Sequence, residues 1–126
     1  MNAIFAVAVG GAAGSVARYL VVLGGARLCG PLFPWGTLAV NVAGSLAMGV
    51  VAALLLRFGA AAETVRHLVM IGFLGGFTTF SSFSLDVVDL AQRGQLVAAT
   101  AYVLASVFFS VGGLLVGLKA AQWLAS

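Results

Sequence analysis

The residues between Gly72 and Asp86 combine features that are rarely found together in an apolar chain. They belong largely to an uncharged segment long enough to span a membrane, yet they include three glycines and five hydroxyl side chains. Glycine in a helix interior costs about 1 kcal/mol relative to alanine. Irregular backbone within a membrane is tolerated only where protein or a water-filled cavity covers it. We therefore expect this helix to break near Gly75–Thr79 and to offer carbonyls, hydroxyls and aromatic edges to an ion.

Two aromatic rings follow the expected break. Phe80 and Phe83 are three residues apart, so they share one helix face, and Ser81 and Ser84 flank them. Such a pair is usually explained by packing against lipid or the protein interior. However, the edge of an aromatic ring carries positive partial charge and attracts a small anion weakly. Selective permeation requires binding of this modest strength.

Other apolar segments contain isolated polar side chains. Asn41 offers two N–H donors, either to an anion or to a neighbouring helix, where such a bond is worth under about 1–2 kcal/mol. Tyr102, Ser106 and Ser110 are spaced four residues apart and share a face. A serine in a membrane helix usually bonds the carbonyl four residues earlier. Three polar residues in register predict a stripe of donors along which an ion could pass.

Arg18 lies well inside the first apolar segment. An arginine at mid-membrane depth costs about 2.5–3.5 kcal/mol or more and is normally paired or functional. Its side chain either extends to the lipid headgroups or supplies positive charge to an aqueous vestibule, where it would concentrate anions.

Composition places the chain in a membrane. Hydrophobic residues make up 63% of the sequence and charged residues 7%, and the mean hydropathy is +1.19. The distribution of charged residues predicts an all-α membrane protein with four transmembrane helices in a single domain covering 1–126, with spans 3–24, 35–57, 67–90 and 95–119. Pro31 and Pro34 place the second helix start near Trp35. Residues 24–27, which include a glycine pair, are interpreted as a connection.

The few basic residues give little bias for membrane orientation. Arg57, Arg66 and Lys119 would lie on the side of both termini, and Arg27 and Arg93 on the other side, joined by Arg18 if it lies near that end. The excess is one residue or none, whereas orientation normally follows a clear Lys/Arg excess. Either the chain inserts in both directions and forms an antiparallel pair, or a weak bias is sufficient. So small a chain is expected to form an oligomer.

Missing residues exclude several functions. The first, second and fourth spans contain no acidic residue, and Asp86 stands near the end of the third, whereas proton-coupled export usually depends on a buried carboxylate. There is no nucleotide-binding lysine motif and no Cys/His metal pair. No nucleophile with a matching base can be assembled, so the sequence indicates a protein that is not an enzyme.

With these residues in view, almost the whole chain resembles the Fluc (CrcB) family of bacterial fluoride channels. The most specific similarity is the run Gly75-Gly76-Phe77-Thr78-Thr79-Phe80-Ser81-Ser82-Phe83-Ser84. It is preceded by Trp35-Gly36-Thr37-Leu38-Ala39-Val40-Asn41-Val42-Ala43-Gly44-Ser45 and by a glycine-spaced opening that ends in Arg18-Tyr19-Leu20.

The resemblance implies a dual-topology homodimer of antiparallel subunits with two fluoride pores, passively exporting fluoride across the inner membrane to lower its cytoplasmic concentration. It implies a structural Na⁺ at the dimer centre, held by the backbone carbonyls of Gly75 and Thr78. The residues it assigns to the fluoride pathway are the pore groups Phe80, Phe83 and Asn41, the polar-track groups Tyr102 and Ser110, and the vestibule arginine Arg18. Asp86 occupies a position where the family usually has Glu, which leaves the contacts of that carboxylate open.

Two other functions compete with a fluoride channel. A small multidrug-type exporter has similar length and topology, but it would carry a glutamate in its first helix, and this chain has none. A structural subunit of a larger membrane complex would need no polar stripe and would show no ion flux when purified.

Overall fold

The computed structural model describes all residues, Met1–Ser126, and every element in it is helical. The elements in chain order are α1 (Ala3–Cys29), α2 (Trp35–Phe58), a 3₁₀ turn (Gly59–Ala62), α3 (Glu63–Val65), a π-helical segment (Arg66–Leu74), α4 (Gly75–Phe77), α5 (Phe80–Gln92) and α6 (Leu96–Leu124). Three stretches are long and apolar enough to cross a membrane: Ala3–Cys29, Trp35–Gln92 and Leu96–Leu124. The chain is thus an all-helical protein with membrane-spanning candidates.

Local sequence explains most helix ends. The side chain of Asn2 accepts a hydrogen bond from the Ile4 N–H at 2.8 Å and caps α1. Pro34 precedes α2, where its missing N–H is not needed. Gly59 and Gly94 have φ of +54° and +76°, a conformation that favours glycine, and they lie in the turns that follow α2 and α5. The start of α2 at Trp35 agrees with the prediction made from Pro31 and Pro34.

The interpretation of residues 24–27 as a connection is wrong. The helix continues through both glycines to Cys29, and the turn lies instead at Gly30, with φ of +82°. A Cβ at Gly25 would lie 3.0 Å from the Cα of Gly36, so this glycine allows α1 and α2 to cross closely. The glycine pair serves helix packing and does not form a turn.

Close glycine contacts also fix the helix directions. A Cβ at Gly10 would overlap the carbonyl oxygen of Leu68, and one at Gly14 that of Phe73, so α1 runs parallel to the segment 66–77. In the same way, a Cβ at Gly113 would lie 3.5 Å from the carbonyl oxygen of Val42, and one at Gly117 would overlap the carbonyl oxygen of Leu46. Helices α2 and α6 are therefore parallel. Both chain termini and the turn at 59–62 consequently lie at one end of the molecule.

Few side chains are buried within a single copy of the chain. Only 20 of 126 residues are buried, and large apolar side chains are exposed along the helices. A soluble protein of this size would hide far more apolar surface, so lipid or another subunit must cover these faces. The buried cluster of Leu90, Ala99 and Tyr102 packs against Phe83, which connects it to the candidate site.

Candidate functional site

The helical backbone is interrupted at Thr78 and Thr79. Both residues are extended, with φ and ψ of −83° and 158° at Thr78 and −153° and 121° at Thr79. The hydroxyl of Thr79 accepts the Ser82 N–H at 3.1 Å and so caps the start of α5. The hydroxyl of Thr78 donates to the Leu74 carbonyl at 2.9 Å. Two adjacent threonines therefore end one helical segment and begin the next.

The side-chain amide of Asn41 holds this interruption in place. Its Oδ1 accepts the Thr79 N–H at 2.7 Å, and its Nδ2 donates to the Thr79 carbonyl at 2.9 Å. The amide thus replaces the helical partners that an extended residue has lost. Gly44, one turn further along α2, makes the approach possible, because a Cβ there would overlap the side chain of Thr78. The amide keeps one N–H that is not engaged with Thr79.

Two backbone carbonyls lose their usual donors at the break. In a continuous helix the Thr79 N–H would donate to Gly75 and the Ser82 N–H to Thr78. These two N–H groups donate instead to the side chains of Asn41 and Thr79. The carbonyl oxygens of Gly75 and Thr78 are therefore released from the helical hydrogen-bond pattern.

A groove of about 280 Å³ lies beside the break, and we refer to it as the phenylalanine groove. Its lining comes from α2, the break, the first turn of α5 and one face of α6: Asn41, Thr78, Thr79, Phe80, Phe83, Ser106, Val107, Ser110 and Val111. The rings of Phe80 and Phe83 have centroids 5.6 Å apart and are tilted by 50°. The Phe80 side chain is 79% exposed, so one side of this groove is open in a single copy of the chain.

Two hydroxyl groups in the phenylalanine groove have no partner. The Oγ atoms of Ser106 and Ser110 are buried and make no hydrogen bond within the chain. This departs from the usual behaviour of serine in a membrane helix, which bonds its own backbone. A buried polar atom without a partner costs free energy, so these two hydroxyls remain available to a partner from outside the chain.

Tyr102 differs from the two serines with which it shares a helix face. Its side chain is fully buried, and its hydroxyl donates to Oδ2 of Asp86 at 2.9 Å. Its ring lies 5.2 Å from that of Phe83 and 5.4 Å from that of Phe33, measured between centroids. Tyr102 is therefore anchored at the end of the stripe, whereas Ser106 and Ser110 have free hydroxyls.

A second groove, of about 370 Å³, contains Arg18, and we refer to it as the arginine groove. Asp86, Ser82 and Thr37 also line it. Arg18 and Asp86 form no ion pair; the one salt bridge in the chain joins Arg93 to Asp89 at 2.7 Å. Phe80 and Phe83 belong to one groove and Ser82 and Asp86 to the other, so the first turns of α5 lie between them.

The structure thus brings together five of the predicted pathway residues, Asn41, Phe80, Phe83, Ser106 and Ser110. Ser81 and Ser84 line neither groove. The hydroxyl of Ser84 donates to the Phe80 carbonyl at 2.9 Å, and that of Ser81 lies 3.4 Å from the Thr79 hydroxyl. Sequence reasoning missed Thr79, whose backbone holds Asn41. No spacing rule could connect two residues that are 38 positions apart.

Comparison of the sequence with known proteins assigns the chain to a family. The family described as CrcB-like protein, Camphor Resistance (CrcB), matches residues 5–118. The chain belongs to the CrcB family. The assignment inferred from the glycine, threonine and phenylalanine motif is therefore confirmed.

Relatives of this CrcB-family chain are similar over nearly their whole length. It is 52% identical over 116 residues to a protein of Nitrobacter hamburgensis named Fluoride-specific ion channel FluC 1, covering 92% of each chain. It is 54% identical over 118 residues to a Rhodospirillum centenum protein named Fluoride-specific ion channel FluC, covering 94% of each. A Rhizobium etli protein of that name is 52% identical over 121 residues. These relatives are named ion channels, in agreement with the prediction that the chain is a multi-pass membrane channel and not an enzyme.

Proposed function

We propose that the chain is a fluoride-selective channel through which fluoride leaves the bacterial cytoplasm passively across the inner membrane. The observation that carries the proposal is the phenylalanine groove, where two phenylalanine rings face two buried hydroxyls without partners. The relatives named fluoride-specific channels support the choice of ion.

The lining of the phenylalanine groove suits a small, strongly hydrated anion. Fluoride that enters it exchanges water for the hydroxyls of Ser106 and Ser110, which have no competing acceptor in the chain. Ring edges of Phe80 and Phe83 add weak attraction without a fixed positive charge. The site therefore replaces hydration without binding the ion too tightly to release it.

Arg18 and Tyr102 lie outside the lining of this groove and act on it indirectly. In the arginine groove the charge of Arg18 attracts anions, and the Asp86 carboxylate in the same lining opposes this attraction. Tyr102 positions the Phe83 ring through direct contact, and its bond to Asp86 fixes its own orientation. Ser81 and Ser84 then serve the local structure of the first turn of α5.

We further propose that the chain crosses the membrane four times. The stretch Trp35–Gln92 has 58 residues and as one straight helix would be about 87 Å long, far more than the roughly 30 Å of a bilayer core. Residues on both sides of Gly59, among them Val51 and Val69, line one groove, so the chain turns back there. The stretch thus supplies a second crossing and a third that is broken at Thr78 and Thr79.

The functional unit in this proposal is an antiparallel homodimer. The phenylalanine groove is open where Phe80 is exposed, and a second copy would close it. Arg57, Arg66 and Lys119 belong to the end with the termini. Arg18, Arg27 and Arg93 belong to the other end, so the six basic residues divide equally, three and three. Equal charge removes the usual basis for a single orientation.

Labelling tests the dual topology. In a Cys29→Ser background, the exposed loop residue Ala60 is changed to cysteine, and intact cells are treated with a membrane-impermeant maleimide. We expect about half of the thiol to react from outside and the remainder only after the membrane is permeabilised. The Cys29→Ser parent should not react. Labelling of all or none from outside would exclude dual insertion.

A sodium ion at the break is part of the same proposal. The chain has no cluster of three or more His, Cys, Asp or Glu side chains, so the ligands would be the released carbonyls of Gly75 and Thr78. Oxygen ligands of this kind suit a hard cation. A sodium ion on a two-fold axis would be coordinated by the carbonyl oxygens of both subunits.

Sodium removal should therefore weaken the dimer. We expect prolonged dialysis against potassium buffer of equal ionic strength to raise the monomer fraction, measured by size-exclusion chromatography with light scattering. Return of sodium should restore the dimer. An unchanged dimer that also lacks bound sodium by elemental analysis would contradict this assignment.

Flux measurement tests the channel itself. Liposomes that contain the purified chain and potassium fluoride are diluted into fluoride-free medium, and valinomycin is added to balance charge while an electrode records efflux. We expect rapid release of fluoride and none of chloride under the same conditions. Chloride release at a comparable rate, or no release of either ion, would rule out a fluoride-selective channel and favour an exporter or a structural subunit.

A further inference from the structure

An entirely apolar groove lies away from both grooves described above, at the end of the molecule that holds the chain termini. It has a volume of about 390 Å³ and is formed by the last turns of α2, the 3₁₀ turn and the start of the following helical segment. Its lining includes Val51, Leu54, Phe58, Ala61, Val65 and Val69. Phe58 is 63% exposed, so this groove is open at the surface.

Two unpaired arginines flank the apolar groove. Arg57 directly precedes Phe58, and Arg66 directly follows Val65; both are exposed. Neither forms an ion pair, although Glu63 lies between them in the sequence, because the one salt bridge of the chain is elsewhere. Arg57 is also three residues after Leu54, so these two residues share a helix face. The groove therefore has an apolar lining, and exposed arginines directly follow or precede two of its lining residues in the sequence.

The depth of the apolar groove fits a membrane interface. Because α2 and α6 are parallel, the last turn of α2 lies toward the C-terminal end of α6, where Trp123 is 77% exposed. Tryptophan at a helix end marks the level of lipid headgroups. Arginines at this level meet phosphate groups, and the apolar surface beneath them meets acyl chains.

We propose that this groove binds an anionic phospholipid, with an acyl chain along Leu54, Phe58 and Val65 and the phosphate against Arg57 and Arg66. The proposal does not depend on fluoride conduction, since it rests on a different part of the molecule. Guanidinium groups suit a phosphate because they can donate two parallel hydrogen bonds. A bound lipid would contact both α2 and the segment after the turn, and it would therefore stabilise the loop between them.

Lipid binding is measured by native mass spectrometry of the purified protein, titrated with palmitoyl-oleoyl-phosphatidylglycerol or with phosphatidylcholine of identical chains. We expect the double variant Arg57→Gln/Arg66→Gln to bind phosphatidylglycerol about 30-fold more weakly, the factor for two lost arginine contacts. Arg27→Gln/Arg93→Gln removes the same charge at the opposite end and should leave the affinity unchanged.

The apolar part is tested with a matched pair of tryptophans. Ala61→Trp fills the apolar groove and should weaken binding of both lipids. Ala101→Trp fills a separate groove of about 410 Å³, which is lined by Leu96 and Leu104 and has no unpaired arginine beside it. This control variant should leave the binding of both lipids unchanged. If the Ala61→Trp variant does not fold, Leu54→Trp is used in its place, because Leu54 lines the same groove. Unchanged phosphatidylglycerol binding in the arginine double variant or in the filled-groove variant would overturn the proposal. The proposal would also be overturned if these variants dissociated into monomers without losing lipid, because the groove would then be a contact between subunits.

Discussion

Changing Phe83 or Phe80 singly to isoleucine is expected to slow fluoride efflux from liposomes by about two- to tenfold. An aromatic contact of this kind is worth about 0.5–1.5 kcal/mol, and the upper value corresponds to one order of magnitude in rate. Isoleucine keeps an apolar side chain in the phenylalanine groove but removes the positive ring edge. Because Phe83 also contacts the Tyr102 ring, its replacement should have the larger effect of the two.

The chain supplies a matched control for this experiment. Phe108 is 71% exposed, similar to Phe80 at 79%, yet it lies outside both grooves. Phe108→Ile therefore makes the same chemical change at a comparably exposed site and should retain the parent efflux rate. All three variants should elute as the parent dimer does. If Phe80→Ile and Phe83→Ile conduct as Phe108→Ile does, ring edges play no part in selecting the ion.

The fold was largely readable from the sequence because its signals are local. The prolines before Trp35 mark a helix start, and uncharged segments of suitable length mark membrane-spanning candidates, without reference to neighbouring helices. The glycine pair at 24–25 shows the limit of such reasoning. Glycine permits both a turn and a close helix crossing, and only the position of Gly36 on another helix decides between them.

The candidate site was predictable as a set of residues but not as a set of bonds. Helical spacing correctly places Ser106 and Ser110 on one face, yet it cannot show that Tyr102 on the same face donates to Asp86. That bond depends on the rotation of α5 against α6. Similarly, Ser84 was expected to flank the pathway, but its hydroxyl reaches its own backbone. Spacing gives the face of a helix, whereas the partner depends on how helices pack.

Asn41 illustrates how the structure changes the meaning of a predicted residue. The sequence suggested a hydrogen-bond donor, either to an anion or to a neighbouring helix. In the structure its amide is largely engaged with the Thr79 backbone, and one N–H remains. Asn41 therefore positions the break and also lines the phenylalanine groove.

Asn41→Asp is consequently expected to stop fluoride conduction for two reasons. A carboxylate in the phenylalanine groove would repel an approaching anion by about 4 kcal/mol at 4 Å and an effective dielectric constant of about 20, a factor of roughly a thousand in rate. It would also place a negative oxygen against the Thr79 carbonyl, where the amide now donates. Efflux should fall to the level of protein-free liposomes.

Asn41→Ala separates these two effects, because it removes both hydrogen bonds and adds no charge. We expect a loss of about 1–3 kcal/mol in stability, since the N–H and carbonyl of an extended residue lose their partners in a membrane. The midpoint of thermal unfolding should fall, and efflux should slow more than tenfold because the break no longer holds Phe80 in register. Ser45→Ala, one turn along the same helix, removes a hydroxyl that makes no hydrogen bond within the chain and should change neither quantity. Parent-like stability and efflux in Asn41→Ala, together with failure of Asn41→Asp, would mean that charge alone matters and that the amide does not hold the break.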